Sequence, residues 1–154
     1  MESTKREKIK ECYTHWNGIN KLYSIWAKEH NLTYYSLSTL YSIYDNQIDC
    51  NQKKICEEWI MPKQTVNTIL SDFERRGYIL FEKDEKDKRN KLIKLTESGL
   101  LYIENTLTPL FEIENKVLDR MDDNMKKMMI ESNNLFFRYL REEMRKDGDE
   151  NAEA

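Results

Sequence analysis

The residues whose types and spacing could do chemistry lie between positions 63 and 91. Lys63, Gln64, Thr65, Asn67, Thr68 and Ser71 recur at intervals that put most of them on one face of a helix. That face is polar and nearly uncharged, whereas solvated helix faces elsewhere in this chain are dense in Lys and Glu. Amides present a donor and an acceptor side by side, so Gln64 and Asn67 suit bidentate pairing with adenine. Thr65, Thr68 and Ser71 suit bases or phosphates, and Lys63 with the free N–H groups of a helix start suits phosphate. Further on, "EKDEKDKRNK" (82–91) separates two short apolar runs, "YILF" and "LIKL". A basic loop of this kind is a solvated tip or a finger that reaches a polyanion. As a finger, Arg89 is the long cation for a narrow, electronegative minor groove. Lys86, Lys88 and Lys91 then reach phosphates, and Asp84 and Asp87 brace the arginine.

Other chemistry is poorly represented. There is no Gly-rich phosphate loop, nucleophile elbow or His-carboxylate-Ser set, so an enzyme is not expected. Cys12 and His15 form a C-x-x-H with no second pair at ligand spacing, which argues against structural zinc. No metal or other cofactor is expected. Three cysteines (Cys12, Cys50, Cys56) form no disulfide framework. Cys12 reads first as a small buried residue on an apolar stripe, and second as a redox-sensing thiol.

These residues need a scaffold. The chain has 154 residues, with four Gly, two Pro and 34% charged residues, which favours one helix-rich unit. No apolar run has the length of a membrane span and the start lacks a signal-peptide core, so a cytoplasmic location is the expectation. The net charge of -3 is a blunt guide, because residues 61–94 hold nine Lys/Arg against six Asp/Glu. Ile9, Cys12, Trp16, Ile19, Tyr23 and Trp26 define a long amphipathic helix over about 4–29. "NLT" (31–33), with Thr33 or Asn31 as the cap, leads to a second helix, 34–46, with Tyr34, Leu37, Leu40, Tyr41 and Tyr44 inward; "QKKICEEW" is a third. Pro62 opens a fourth, and Gly77 closes it in a left-handed cap. A β-hairpin, 78–95, precedes a helix capped by Thr96, in which Pro109 predicts a bend near Leu107. A last helix begins near Asp122 or Asp123, with Met125, Met128, Met129, Leu135, Phe136, Tyr139 and Leu140 on its apolar side.

The order defines a mainly α fold with a small β-hairpin wing: a winged helix-turn-helix (33–99) flanked by N- and C-terminal helices (1–32 and 100–146) and an acidic tail (147–154) expected to be disordered. The end helices carry more apolar surface than a winged core of that size can cover. A homodimer would bury it and set two reading helices about one DNA turn apart. The partner expected is double-stranded DNA.

"MPKQTVNTILSDFERRGYI", "DKR" and "LTESG", in this order and spacing, resemble the reading helix and wing of MarR-type transcriptional regulators. The resemblance covers about residues 60–99. It implies a homodimer with intertwined end helices, acting as repressor or activator on a pseudo-palindromic operator, with Arg89 as the wing arginine and Asp87 its brace. It also implies an effector pocket between the dimer helices and the winged part, for which Tyr13, Trp16, Trp26, Tyr34 and Tyr41 are candidates beside their reading as core. Pro62 and Lys63 replace the commoner Ser-led helix start, so base preference does not transfer. Two alternatives compete: a winged-helix protein-interaction module that ignores DNA, and a thiol-based regulator using Cys12.

Overall fold

The computed structural model describes residues 4–85 and 90–150. Six helices and one hairpin follow in the order α1 (Lys5–Glu29), α2 (Tyr34–Asp45), α3 (Gln52–Trp59), α4 (Lys63–Arg75), β1 (Ile79–Lys83), β2 (Lys91–Leu95), α5 (Glu97–Asp119) and α6 (Asp123–Glu150). The mainly α architecture with a two-stranded antiparallel wing matches the expectation. The chain divides into two compact units, residues 1–108 and 109–154.

Local chemistry sets the boundaries. Thr4 and Glu7 form a reciprocal capping box at the start of α1. Thr33 caps α2 by accepting the Ser36 N–H at 3.1 Å. Asn51 does the same for α3 through Lys54. The end of α4 is a Schellman turn: Gly77 has φ 74°, its N–H reaches Glu74 O (2.8 Å), and Tyr78 N–H reaches Phe73 O (2.9 Å).

The core of the first unit forms where α2, α3, α4, the hairpin and the start of α5 meet. Leu37, Leu40, Ile43, Ile55, Val66, Leu70, Phe73, Ile93, Ile103 and Leu107 are buried there. α2 differs from the sequence reading. Tyr34 and Tyr41 are half-buried and Tyr44 is exposed, while Ser38, Thr39, Ser42 and Ile43 are buried. The helix packs against α1, α3, α4 and β2, so more than one face is covered. Its small hydroxyls permit that approach because each bonds internally: Ser38 to Tyr34 O (3.0 Å), Thr39 to Tyr35 O (2.8 Å), and Ser42 to the Glu58 carboxylate.

The turn from α3 into α4 carries a strained residue. Ile60 has φ 51° and is 77% exposed. A β-branched side chain is poorly tolerated there, and this one buries little in return. Ile60→Gly is expected to raise stability by about 0.5–1 kcal/mol, read as a higher urea midpoint; a lower midpoint would show that the Ile60 side chain is needed.

In the second unit, Asp122 accepts the Met125 N–H at 2.8 Å and starts α6. α5 remains one helix through Pro109, although the proline cannot donate to the preceding turn. α6 reaches Glu150, four residues into the stretch read as a disordered tail; residues 151–154 lie outside the described residues.

Candidate nucleic-acid interface

The reading helix turns its two faces in opposite directions. Val66, Ile69, Leu70 and Phe73 pin α4 to the core, at 0–9% exposure. Lys63, Gln64, Asn67, Thr68 and Ser71 are exposed, and Thr65 is half-buried. Pro62 stands at the N-cap and gives no side-chain bond, so the N–H groups of Lys63, Gln64 and Thr65 have no acceptor within the helix. The first turn therefore presents three donors and the positive end of the helix dipole. Gln52, at the start of α3, donates to Lys63 O at 3.0 Å and holds the two helices of the motif in register. Asp72 pairs with Arg76 (Nε to Oδ2, 2.7 Å) and with Arg75 at the far end of α4.

The wing is positioned from both sides. β1 and β2 pair with Ile79 opposite Leu95, Phe81 opposite Ile93 and Lys83 opposite Lys91. The outer edge of β2 is held by Ile93 N–H donating to Cys50 O at 2.8 Å. Lys94 reaches across to the turn after α2, with Nζ 3.1 Å from Gln47 O and 2.8 Å from Ile48 O. The sequence reading missed Lys94 and Gln52, because each looks like an ordinary solvated side chain until its acceptor is placed. Asp84 N–H reaches Asn90 O at 3.3 Å near the tip, and Lys91 Nζ lies 5.6 Å from the centre of the Phe81 ring. Lys86, Asp87, Lys88 and Arg89, the central wing candidates, lie outside the described residues.

The base of the wing is locked to α5 by the "LTESG" segment. Thr96 Oγ1 lies 2.5 Å from Gly77 O and 3.2 Å from Tyr78 O, and accepts the Gly99 N–H at 3.0 Å. Ser98 adds a bond to Gly77 O at 2.8 Å. A Cβ on Gly99 would lie 1.8 Å from Tyr78 O. The end of the reading helix, the wing and the next helix thus meet at one hydrogen-bonded corner.

The five aromatic candidates for an effector pocket are held in different sets of contacts. Tyr13 meets Trp16 edge-on at 5.5 Å. Trp26 stacks on His30 at 4.6 Å and donates to Thr106 O at 3.3 Å. Tyr34 approaches Asn20 at 3.4 Å, and Tyr41 tilts against Trp59 at 5.9 Å. An open cleft of about 380 Å³ lies beside β2, lined by Gln47, Lys94, Leu95, Thr96, Glu97 and Leu100.

Cys12 is exposed, which corrects its reading as a buried residue. Of α1 only Ala27 is buried; along the stripe bearing Cys12, Ile9, Trp16, Tyr23 and Trp26 are half-buried and Ile19 is exposed in the single chain. Cys50 is buried and its thiol is pushed up to about 12, mainly by desolvation. Burial also raises the half-buried Cys56 thiol. The reactive species is the thiolate. At pH 8 a disulfide reagent such as Ellman's is expected to label Cys50 only on unfolding, because the core of its own chain covers it. Cys50→Ser should remove the slow phase; a slow phase that survives would place it on another cysteine.

A helix-turn-helix of α3 and α4 with a hairpin wing defines the class: a winged-helix protein. Residues 30–90 match the model of the MarR family. Over 110 residues, 71% of each chain, the sequence is 33% identical to the HTH-type transcriptional regulator SarZ of Staphylococcus aureus. The chain belongs to the MarR family of transcriptional regulators. Its fold is similar to that of a MarR family regulator from Neisseria meningitidis (TM-score 0.80, 24% identity, 91% of this chain and 98% of that one). It is also similar to MepR of S. aureus in a DNA complex (TM-score 0.70, 20% identity, 89% and 96%). CouR from Rhodococcus jostii, bound to p-coumaroyl-CoA, shares the fold as well (TM-score 0.70, 17% identity, 85% and 92%). No helix among the described residues is long and apolar enough to cross a membrane.

Proposed function

We propose that this protein regulates transcription by binding a pseudo-palindromic operator as a homodimer, with α4 in the major groove and the wing in the adjacent minor groove. The observation that carries this reading is the exposed, nearly uncharged polar face of α4 above a fully buried apolar face. Side chains that read bases must be accessible, rigidly backed and able to both donate and accept. The related fold of MepR occurs in a DNA complex, which supports the same use here.

The dimer has its own support. On α1, Tyr13, Ile19, Leu22 and Ile25 are exposed; on α6, so are Met125, Met128, Met129, Ile130 and Phe137. Apolar surface on this scale calls for a covering partner, and a second copy supplies it symmetrically. A protein of this build acts most simply by occupying its operator, as a repressor, and works in the cytoplasm beside the DNA. A small-molecule effector fits the reading, since CouR shares the fold and holds an acyl-CoA.

The test is titration of a randomised duplex pool at two salt concentrations, with Arg89→Ala beside the parent. The parent should lose affinity steeply as salt rises. Arg89→Ala should weaken binding broadly and leave the preferred sequence unchanged. A protein that ignores every duplex at low salt would leave the protein-interaction module as the better reading.

A further inference from the structure

We infer that the major-groove half-site is A·T-rich, read by the amides of Asn67 and Gln64 and by the methyl group of Thr68. This rests on the proposed DNA-binding reading and adds the base class.

Three observations lead to it. Gln64 and Asn67 are exposed, and their side-chain amides make no hydrogen bond among the described residues. Each can therefore give its donor and acceptor together, which matches N6 and N7 of adenine. Thr68 differs: its hydroxyl already donates to Gln64 O at 3.0 Å. That spends its one proton, which leaves the methyl and the oxygen's acceptor lone pairs; in the major groove the apolar feature that matches the methyl is the C5-methyl of thymine. Guanine is most often read by a bidentate cation, and the one cation on this face is Lys63 at its very start. Arg75 and Arg76 are confined to the last turn and pair with Asp72. Lys63 occupies the first helical position, beside the uncapped N–H groups that suit phosphate. Ser71, exposed between them, reads either base type. An amide facing guanine N7 and O6 would meet two acceptors and satisfy one, leaving a desolvated group unpaired.

The experiment selects duplexes from a randomised pool with the full-length protein and with Asn67→Ala, Gln64→Ala and Thr68→Ser. All three sites are exposed, and matching circular dichroism melts check that the fold is kept. The parent should enrich adenine or thymine at the positions that Asn67→Ala and Gln64→Ala relax. Replacing the key adenine by 7-deazaadenine, which lacks the N7 acceptor, should weaken the parent about tenfold and leave Asn67→Ala little changed. Replacing the contacted thymine by deoxyuridine should weaken the parent roughly threefold and leave Thr68→Ser indifferent. Enriched guanine or cytosine at the relaxed positions would overturn the inference while DNA binding itself stands. An A·T preference that survives all three substitutions would assign the specificity to duplex shape and also overturn it. Failure to bind any duplex would sink the proposed function and this inference together.

Discussion

A Gln64→Glu variant is expected to bind duplex DNA at least about thirtyfold more weakly while unfolding slightly later than the parent. The two side chains are nearly the same size, so packing is unchanged. Gln64 is the second residue of α4, whose first turn holds no acidic side chain and no side-chain cap. A carboxylate there complements the helix dipole and is worth about 0.3–1 kcal/mol of stability. Facing DNA, the same carboxylate loses the amide donor and meets base acceptors and phosphates of like charge. Losing a bidentate base contact costs about 1–3 kcal/mol, and unfavourable charge adds to it. Fluorescence anisotropy and a thermal melt on one preparation read the two effects. They have opposite signs, so misfolding cannot mimic the pattern. Affinity within threefold of the parent would remove Gln64 from the interface.

Gly99→Ala is expected to cost about 3 kcal/mol or more, a large share of the roughly 5–15 kcal/mol that holds a domain folded. The added Cβ would stand 1.8 Å from Tyr78 O, 2.7 Å from its carbonyl carbon and 3.0 Å from its Cα. These are backbone atoms, so no rotamer change relieves the clash. The Tyr78 carbonyl is also held in place, since it accepts the Thr96 N–H at 3.1 Å. Relief requires α5 to move away from the end of α4, which opens the corner under the wing. Gly18→Ala is the control: it lies inside α1 with nothing within 4 Å of the added carbon. That change should stabilise by about 0.5–1 kcal/mol, because alanine loses less entropy in a helix. Urea midpoints of the two variants should therefore move in opposite directions. A parent-like midpoint for Gly99→Ala would show that α5 is not seated on Tyr78.

The element order, the α4 boundaries, the cap at Thr33 and the left-handed Gly77 were legible in the chain. So was the direction in which α4 turns its two faces, because a period of 3.6 residues with Val66, Ile69, Leu70 and Phe73 on one side leaves little choice. These features depend on neighbours within a few positions. Burial around α2 was not legible in that way. Periodicity assumes one apolar face, and α2 packs on several sides with hydroxyls that satisfy themselves against the preceding turn. Cys12 was misread for a related reason: a stripe signals that burial is wanted, not that the same chain supplies it.

The amino-acid order alone determined the helices, the hairpin, the polar face of α4 and the motifs that mark a winged regulator. Only the tertiary structure decided what holds that face and wing in place. Lys94 on the Gln47 and Ile48 carbonyls, Gln52 on Lys63 O, and Gly99 against Tyr78 each join residues 11 to 47 positions apart. Contacts of that separation leave no periodic trace, because their partners are set by how the elements pack and not by the spacing along any one of them.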